Sequence, residues 1–132
     1  MVLNIPNILQ DLFEANRDKF MDGDENMPLF DPPLVVVAKA SDPLFDQLKE
    51  TIGSFHWTPK EALALAKPAA EARSVVCWCL PIAEGVRVAN RGETTYPSRA
   101  WAYTRMAGDK VLGAIEQGLV ARLQRDGYAA LA

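Results

Sequence analysis

Ser74-Val75-Val76-Cys77-Trp78-Cys79-Leu80 and Tyr96-Pro97-Ser98-Arg99-Ala100-Trp101-Ala102-Tyr103-Thr104-Arg105 are the two stretches on which the reading of this chain turns. The first is a short apolar run closed by Pro81, the signature of a buried strand. The second opens a long helix that starts near Ser98 and runs to about Asp126. Gly127 stands where a left-handed cap residue belongs. Steps of three and four through Trp101, Arg105, Gly108, Leu112, Ile115, Leu119 and Leu123 predict the inward stripe of that helix. Ala114, Gly118 and Ala121 lie beside it, small enough for a neighbouring element to approach. Tyr128-Ala129-Ala130-Leu131-Ala132 then reads as the first residues of a further strand.

Upstream, Asn7 to about Met21 predicts a helix with Ile8, Leu9, Leu12, Phe13 and Phe20 on one side. It runs into an acidic turn, Asp22-Gly23-Asp24-Glu25-Asn26. Leu34-Val35-Val36-Val37-Ala38, entered through Pro32-Pro33, predicts a strand covered on both faces. Ser41 or Asp42 caps a short helix with Pro43 in its first turn, carrying Leu44, Phe45, Leu48 and Ile52 and closed by Gly53. Thr58-Pro59-Lys60-Glu61 has the form of a capping box, in which hydroxyl and carboxylate satisfy each other's backbone amides. It starts a helix through Ala64 or Ala66, stopped before Pro68.

At 132 residues the chain suits one domain rather than two, and residues 1–132 are read as a single α/β domain. A net charge of −3 argues against nucleic acid as a partner, because phosphate neutralisation needs clustered cations. Arg87, Arg91, Arg99 and Arg105 form a local basic run, read as a solvated connector face. No apolar run reaches the ~20 residues that span a bilayer, and Asn4, Pro6, Asn7, Gln10 and Asp11 interrupt any signal-peptide pattern. Two cysteines give no disulfide framework, so the default expectation is cytoplasmic.

No motif supplies a complete chemistry. The acidic turn at 22–26 starts like a calcium loop but carries Met27 and Pro33 where a glycine and a bidentate glutamate belong, so it reads as a solvated turn. Cys77 and Cys79 fall two apart on a strand, with Trp78 on the opposite face, and read as buried, inert thiols. His56, between Phe55 and Trp57, has no serine, cysteine or acid at a recognised spacing. Ala83-Glu84-Gly85-Val86 lacks the glycines of a phosphate loop. Arg105 has the sharpest physical case: a guanidinium on an inward stripe needs either a structural partner or an anionic ligand.

Several of these residues together resemble a known family. Ala72-Arg73-Ser74-Val75-Val76 running to Leu80-Pro81, then Tyr96-Pro97-Ser98-Arg99, Trp101-Ala102, Thr104-Arg105, Gly108 and Gly127-Tyr128, are similar to the N-terminal part of epoxyqueuosine-reductase-like iron–sulfur proteins. Phe55-His56-Trp57-Thr58-Pro59 adds to the likeness, which spans roughly 55–132. The resemblance implies a larger oxidoreductase with two [4Fe–4S] clusters in a ferredoxin-like region and, in the best-known branch, bound cobalamin. The cysteine-rich cluster motifs are absent from these 132 residues, so no cluster is expected on this chain alone and no catalytic residue is carried over.

The expected fold is thus an α/β domain with a small sheet covered by helices and one long C-terminal helix, part of a larger reductase domain. Its sheet would comprise 34–38, 74–80 and the residues after Gly127. The expected function is the scaffold or pocket portion of an iron–sulfur oxidoreductase. Arg105 and Arg99 would contact an anionic group, and Tyr96, Ser98 and Trp101 would shape that site. Its partner would be a missing C-terminal portion or another protein chain. The alternative is a non-enzymatic assembly module that pairs through an open sheet edge, with a homo-oligomer as one form.

Overall fold

A computed structural model describes residues 3–22 and 26–132, with the side chains of residues 20–22 left out. The chain is mixed α/β: among the described residues there are short strands and five helices, the last of them long and near the C-terminus. In order these are α1 (Ile5–Ala15), a 3-10 turn (Arg17–Phe20), β1 (Met21–Asp22), β2 (Met27–Pro28), β3 (Leu34–Lys39), α2 (Leu44–Ile52), α3 (Pro59–Ala66), β4 (Ser74–Cys79), α4 (Glu84–Arg91) and α5 (Arg99–Arg125). Two compact units emerge. One comprises Met1–Leu34 with Cys79–Leu119, the other Val35–Trp78 with Val120–Ala132.

The first unit holds most of the core. Asn4 caps α1, its Oδ1 accepting from the Asn7 N–H at 3.2 Å, and the helix buries Ile8, Leu9 and Phe13. It ends at Ala15, short of the expected Met21. Asn16 is the reason: its side-chain amide donates to the Leu12 carbonyl at 2.7 Å, capping the helix end. Phe30 bridges Ile82 in antiparallel fashion, with the Asp31 N–H on the Pro81 carbonyl and the Ala83 N–H on the Leu29 carbonyl. These bonds draw Leu29 and Phe30 into the interior. Helix α4 lies in what the sequence presents as a polar connector, and it buries only Val86.

Helix α5 supplies the inward stripe of this unit: Ala100, Thr104, Gly108, Val111, Ile115 and Leu119. Gly108, Ile115 and Leu119 match the expected stripe, but Arg105 and Leu112 are exposed and Trp101 is half-buried. At 100° per residue, Arg105 lies about 90° round the helix from the centre of the observed stripe. The first turns face inward with small residues, which is what lets Phe30 come close. A Phe30 ring carbon lies 3.7 Å from where a side chain at Gly108 would begin.

In the second unit, among the described residues, β3 and β4 pair with each other only. The Ala40 N–H, just past the end of β3, donates to the Arg73 carbonyl, just before the start of β4, so the pair is antiparallel. Two helices intervene, where a parallel βαβ crossover would use one. The expected covering of the sheet is not found: Val36 is 66% and Val37 52% exposed. Helix α2 buries no residue at all and α3 buries only Leu63, so neither offers a packed face of the kind a buried strand requires.

Local signals in this unit are realised closely. The Asp42 carboxylate accepts from the Leu44 N–H at 2.9 Å to start α2, and Gly53 ends it with φ 138°. Thr58 and Glu61 form the capping box, with the Thr58 N–H on Glu61 Oε2 at 2.8 Å and the Glu61 N–H on Thr58 Oγ1 at 3.4 Å. The expected strand after Gly127 does not form. Instead the chain folds back on the helix end, the Tyr128 N–H bonding the Leu123 carbonyl and the Gly127 N–H the Gln124 carbonyl. This double bond pattern around a glycine at φ 89° is a Schellman turn, which satisfies the last carbonyls of α5.

Candidate functional site

The turn from Tyr96 to Arg105 is the strongest candidate from sequence, and its residues separate into structural and surface roles. Ser98 is buried at the mouth of α5, where its hydroxyl accepts from the Trp101 N–H at 3.2 Å. Its own N–H donates to Asn90 Oδ1 at 2.9 Å, tying the helix start to α4. The Ser98 hydroxyl is therefore occupied by capping, one of the uses for which serine is favoured there, and its N–H is held by Asn90. Thr104, also buried, donates its hydroxyl to the Ala100 carbonyl at 2.8 Å.

The other four expected residues do not converge. Tyr96 is 79% exposed. Arg99 is exposed, with its guanidinium carbon 5.9 Å from the centre of the Tyr103 ring, a cation–π distance. Six residues later, Arg105 leaves the helix about 120° round the axis and roughly 9 Å further along. The two arginines thus serve different faces and do not form one clamp. Arg105 is exposed rather than inward, and its guanidinium makes no ion pair among the described residues. Water solvates it, so the argument that a buried cation must have a ligand lapses.

The remaining motifs are also placed. His56 is half-buried between exposed Phe55 and Trp57, and among the described residues its side chain is hydrogen-bonded to no serine, cysteine or carboxylate. Residues 23–25 of the calcium-loop-like turn lie outside the described residues. Cys77 and Cys79 are free and exposed, which overturns the expectation of buried thiols. The other face of β4, carrying Val76 and Trp78, is the half-covered one. As a donor set for a [4Fe–4S] cluster the two cysteines do not fit, since such a cluster takes about four thiolates.

The second unit carries a cleft of about 590 Å³ that brings Asp42, Asp46 and Glu71 near Thr58 and Lys60. One Asp42 oxygen accepts from the Leu44 N–H at the start of α2, and the Thr58 hydroxyl caps α3. Nearby, Glu61 joins α2 to α3 through an ion pair with Lys49. That ammonium, followed by the Thr58 backbone N–H, holds the Glu61 carboxyl down at about 2. The sequence announced Glu61 as a cap but not its link to Lys49, because the pair depends on how α2 and α3 lie against each other.

Comparison with family models, with curated proteins and with solved structures finds no match in any of the three. Among the described residues no helix is long and apolar enough to cross a membrane.

Proposed function

We propose that this chain is a scaffold portion of an iron–sulfur oxidoreductase resembling epoxyqueuosine reductases, in which a further stretch of polypeptide completes the β3–β4 pair. The observation that carries the reading is the state of β3. Leu34, Val36 and Val37 are all more than half exposed on a strand of a two-stranded sheet. Leaving such side chains in water forgoes about 1.5–3 kcal/mol each relative to full burial, and an open strand edge invites pairing. In this reading the redox chemistry, the [4Fe–4S] clusters and any cobalamin belong to the cluster-bearing part of a cytoplasmic enzyme. The exposed Arg99 and Arg105 would face anionic groups on separate sides of α5.

The test has two stages. The gene is read past the Ala132 codon, and amide hydrogen exchange at 35–39 is then compared between the 132-residue chain and the longer product. An open frame with about eight clustered cysteines, together with slowed exchange in β3, supports the proposal. A stop codon refutes it.

Among the described residues each strand of this pair has a single neighbour, which also favours a second reading, a non-enzymatic assembly module that gains a strand from another chain or a second copy. Light scattering on the 132-residue chain addresses the homo-oligomer: a monomer at all concentrations excludes it.

A further inference from the structure

Cys77 and Cys79 have chemistry that the scaffold reading does not use. They stand two apart on β4, both free and both exposed, while Trp78 between them is half-buried. With a side-chain period of two, both thiols project from the one open face of the strand. Alternate residues on a strand are roughly 6.6 Å apart, and their Cβ atoms are spaced alike. A disulfide needs Cβ atoms about 3.5–4.5 Å apart, so these two sulfurs cannot join each other while β4 stays a strand.

A bridging ion asks for less. Two metal–sulfur bonds of about 2.3 Å in a line hold the sulfurs ~4.6 Å apart. Each side chain then leans about 1 Å along the strand, a direction in which strand side chains lean in any case. Tetrahedral zinc would draw the sulfurs closer and take two further ligands. Among the described residues no group of three or more His, Cys, Asp or Glu stands together to supply them. Thiolates suit Cu(I), zinc and iron–sulfur clusters, and of these Cu(I) is the one satisfied by two soft ligands in a line.

We infer that Cys77 and Cys79 form a two-thiolate site for Cu(I). Binding deprotonates both thiols, releases two protons to solvent and leaves the oxidation state of copper unchanged. The site is independent of the scaffold reading, since it needs only β4 and an open face.

The experiment is an anaerobic titration of the full 132-residue chain with Cu(I) against the chromophoric chelator bicinchoninate. The chain should withhold one copper per molecule from the chelator. Cys77→Ser and Cys79→Ser should each weaken retention by at least ~100-fold, with far-UV circular dichroism unchanged. The four methionines also attract Cu(I), and the serine variants separate their contribution. Copper lost freely to the chelator overturns the site, as does retention by either serine variant. One copper per two chains, or Zn(II) held as tightly as Cu(I), overturns it equally.

Discussion

Replacing Val111 and, separately, Leu112 by lysine distinguishes the two possible phases of α5. The sequence stripe turns Leu112 inward, whereas in the structure Val111 is 2% and Leu112 37% exposed. Val111→Lys forfeits roughly 1.5–3 kcal/mol of burial and places an ammonium against the side of the helix that carries Ile115 and Leu119. An unpaired buried charge adds several kcal/mol more, so the total is at least about 4 kcal/mol. That is a large share of the roughly 5–15 kcal/mol that holds a domain folded. At roughly 3–6 °C per kcal/mol for a chain of this size, the melting temperature should fall by more than about 10 °C. Leu112→Lys loses only part of a side chain's burial, and the lysine stem can cover the same surface while its head reaches water. Its cost should stay within about 1–1.5 kcal/mol. Thermal and urea unfolding followed by far-UV circular dichroism reads both variants. Equal damage, or greater damage from Leu112→Lys, would refute the observed phase and restore the stripe that includes Arg105.

Three further outcomes follow from the local geometry. Because Glu61 is held at about 2, below its ordinary 4.5, the stability it contributes is complete above about pH 4.5 and is lost as pH falls toward 2. The urea midpoint of Glu61→Gln should trail the parent's above pH 5 and meet it near pH 2, and salt should shrink the gap because the pair is exposed; a gap that persists at pH 2 would contradict this. Ser98→Ala removes the hydroxyl that receives the Trp101 N–H and should cost about 0.5–2 kcal/mol by urea unfolding, whereas Arg105→Ala, on an exposed site, should change stability by less than about 0.5 kcal/mol. Gly53→Ala should destabilise by at least ~1 kcal/mol, since φ 138° suits only glycine and the new methyl would meet the Phe55 ring at 2.6 Å; Phe55→Ala alongside it should recover only the steric part.

Much of the backbone was legible because its signals act within four residues. Thr58 and Glu61 fix the start of α3 through bonds to each other's amides, and Gly127 closes α5 by adopting a conformation that side chains resist. Asp42 and Gly53 bracket α2 in the same way. The reading failed at two helices: α4 lies in a stretch that reads as a polar connector, and Asn16 stopped α1 where the apolar spacing continued. The candidate site was half legible. Ser98 was visible as a residue of the helix mouth, but whether its hydroxyl served a ligand or the helix depended on the Trp101 amide and on Asn90, eight residues away in sequence.

By itself, then, the sequence determined where α2, α3, α5 and the two main strands begin and end, to within a residue or two, through the caps, prolines and glycines that mark those boundaries. These are choices of backbone dihedral, made by neighbours along the chain. Only the tertiary structure decided which way each element faces. It turned Val111 rather than Leu112 inward, put Arg105 in water and left Val36, Val37, Cys77 and Cys79 uncovered. Burial is a property of two surfaces, and the second is contributed by residues far away in sequence or by no described residue at all. A run such as Leu34–Ala38 records that a strand would gain by being covered; it carries no information on what covers it.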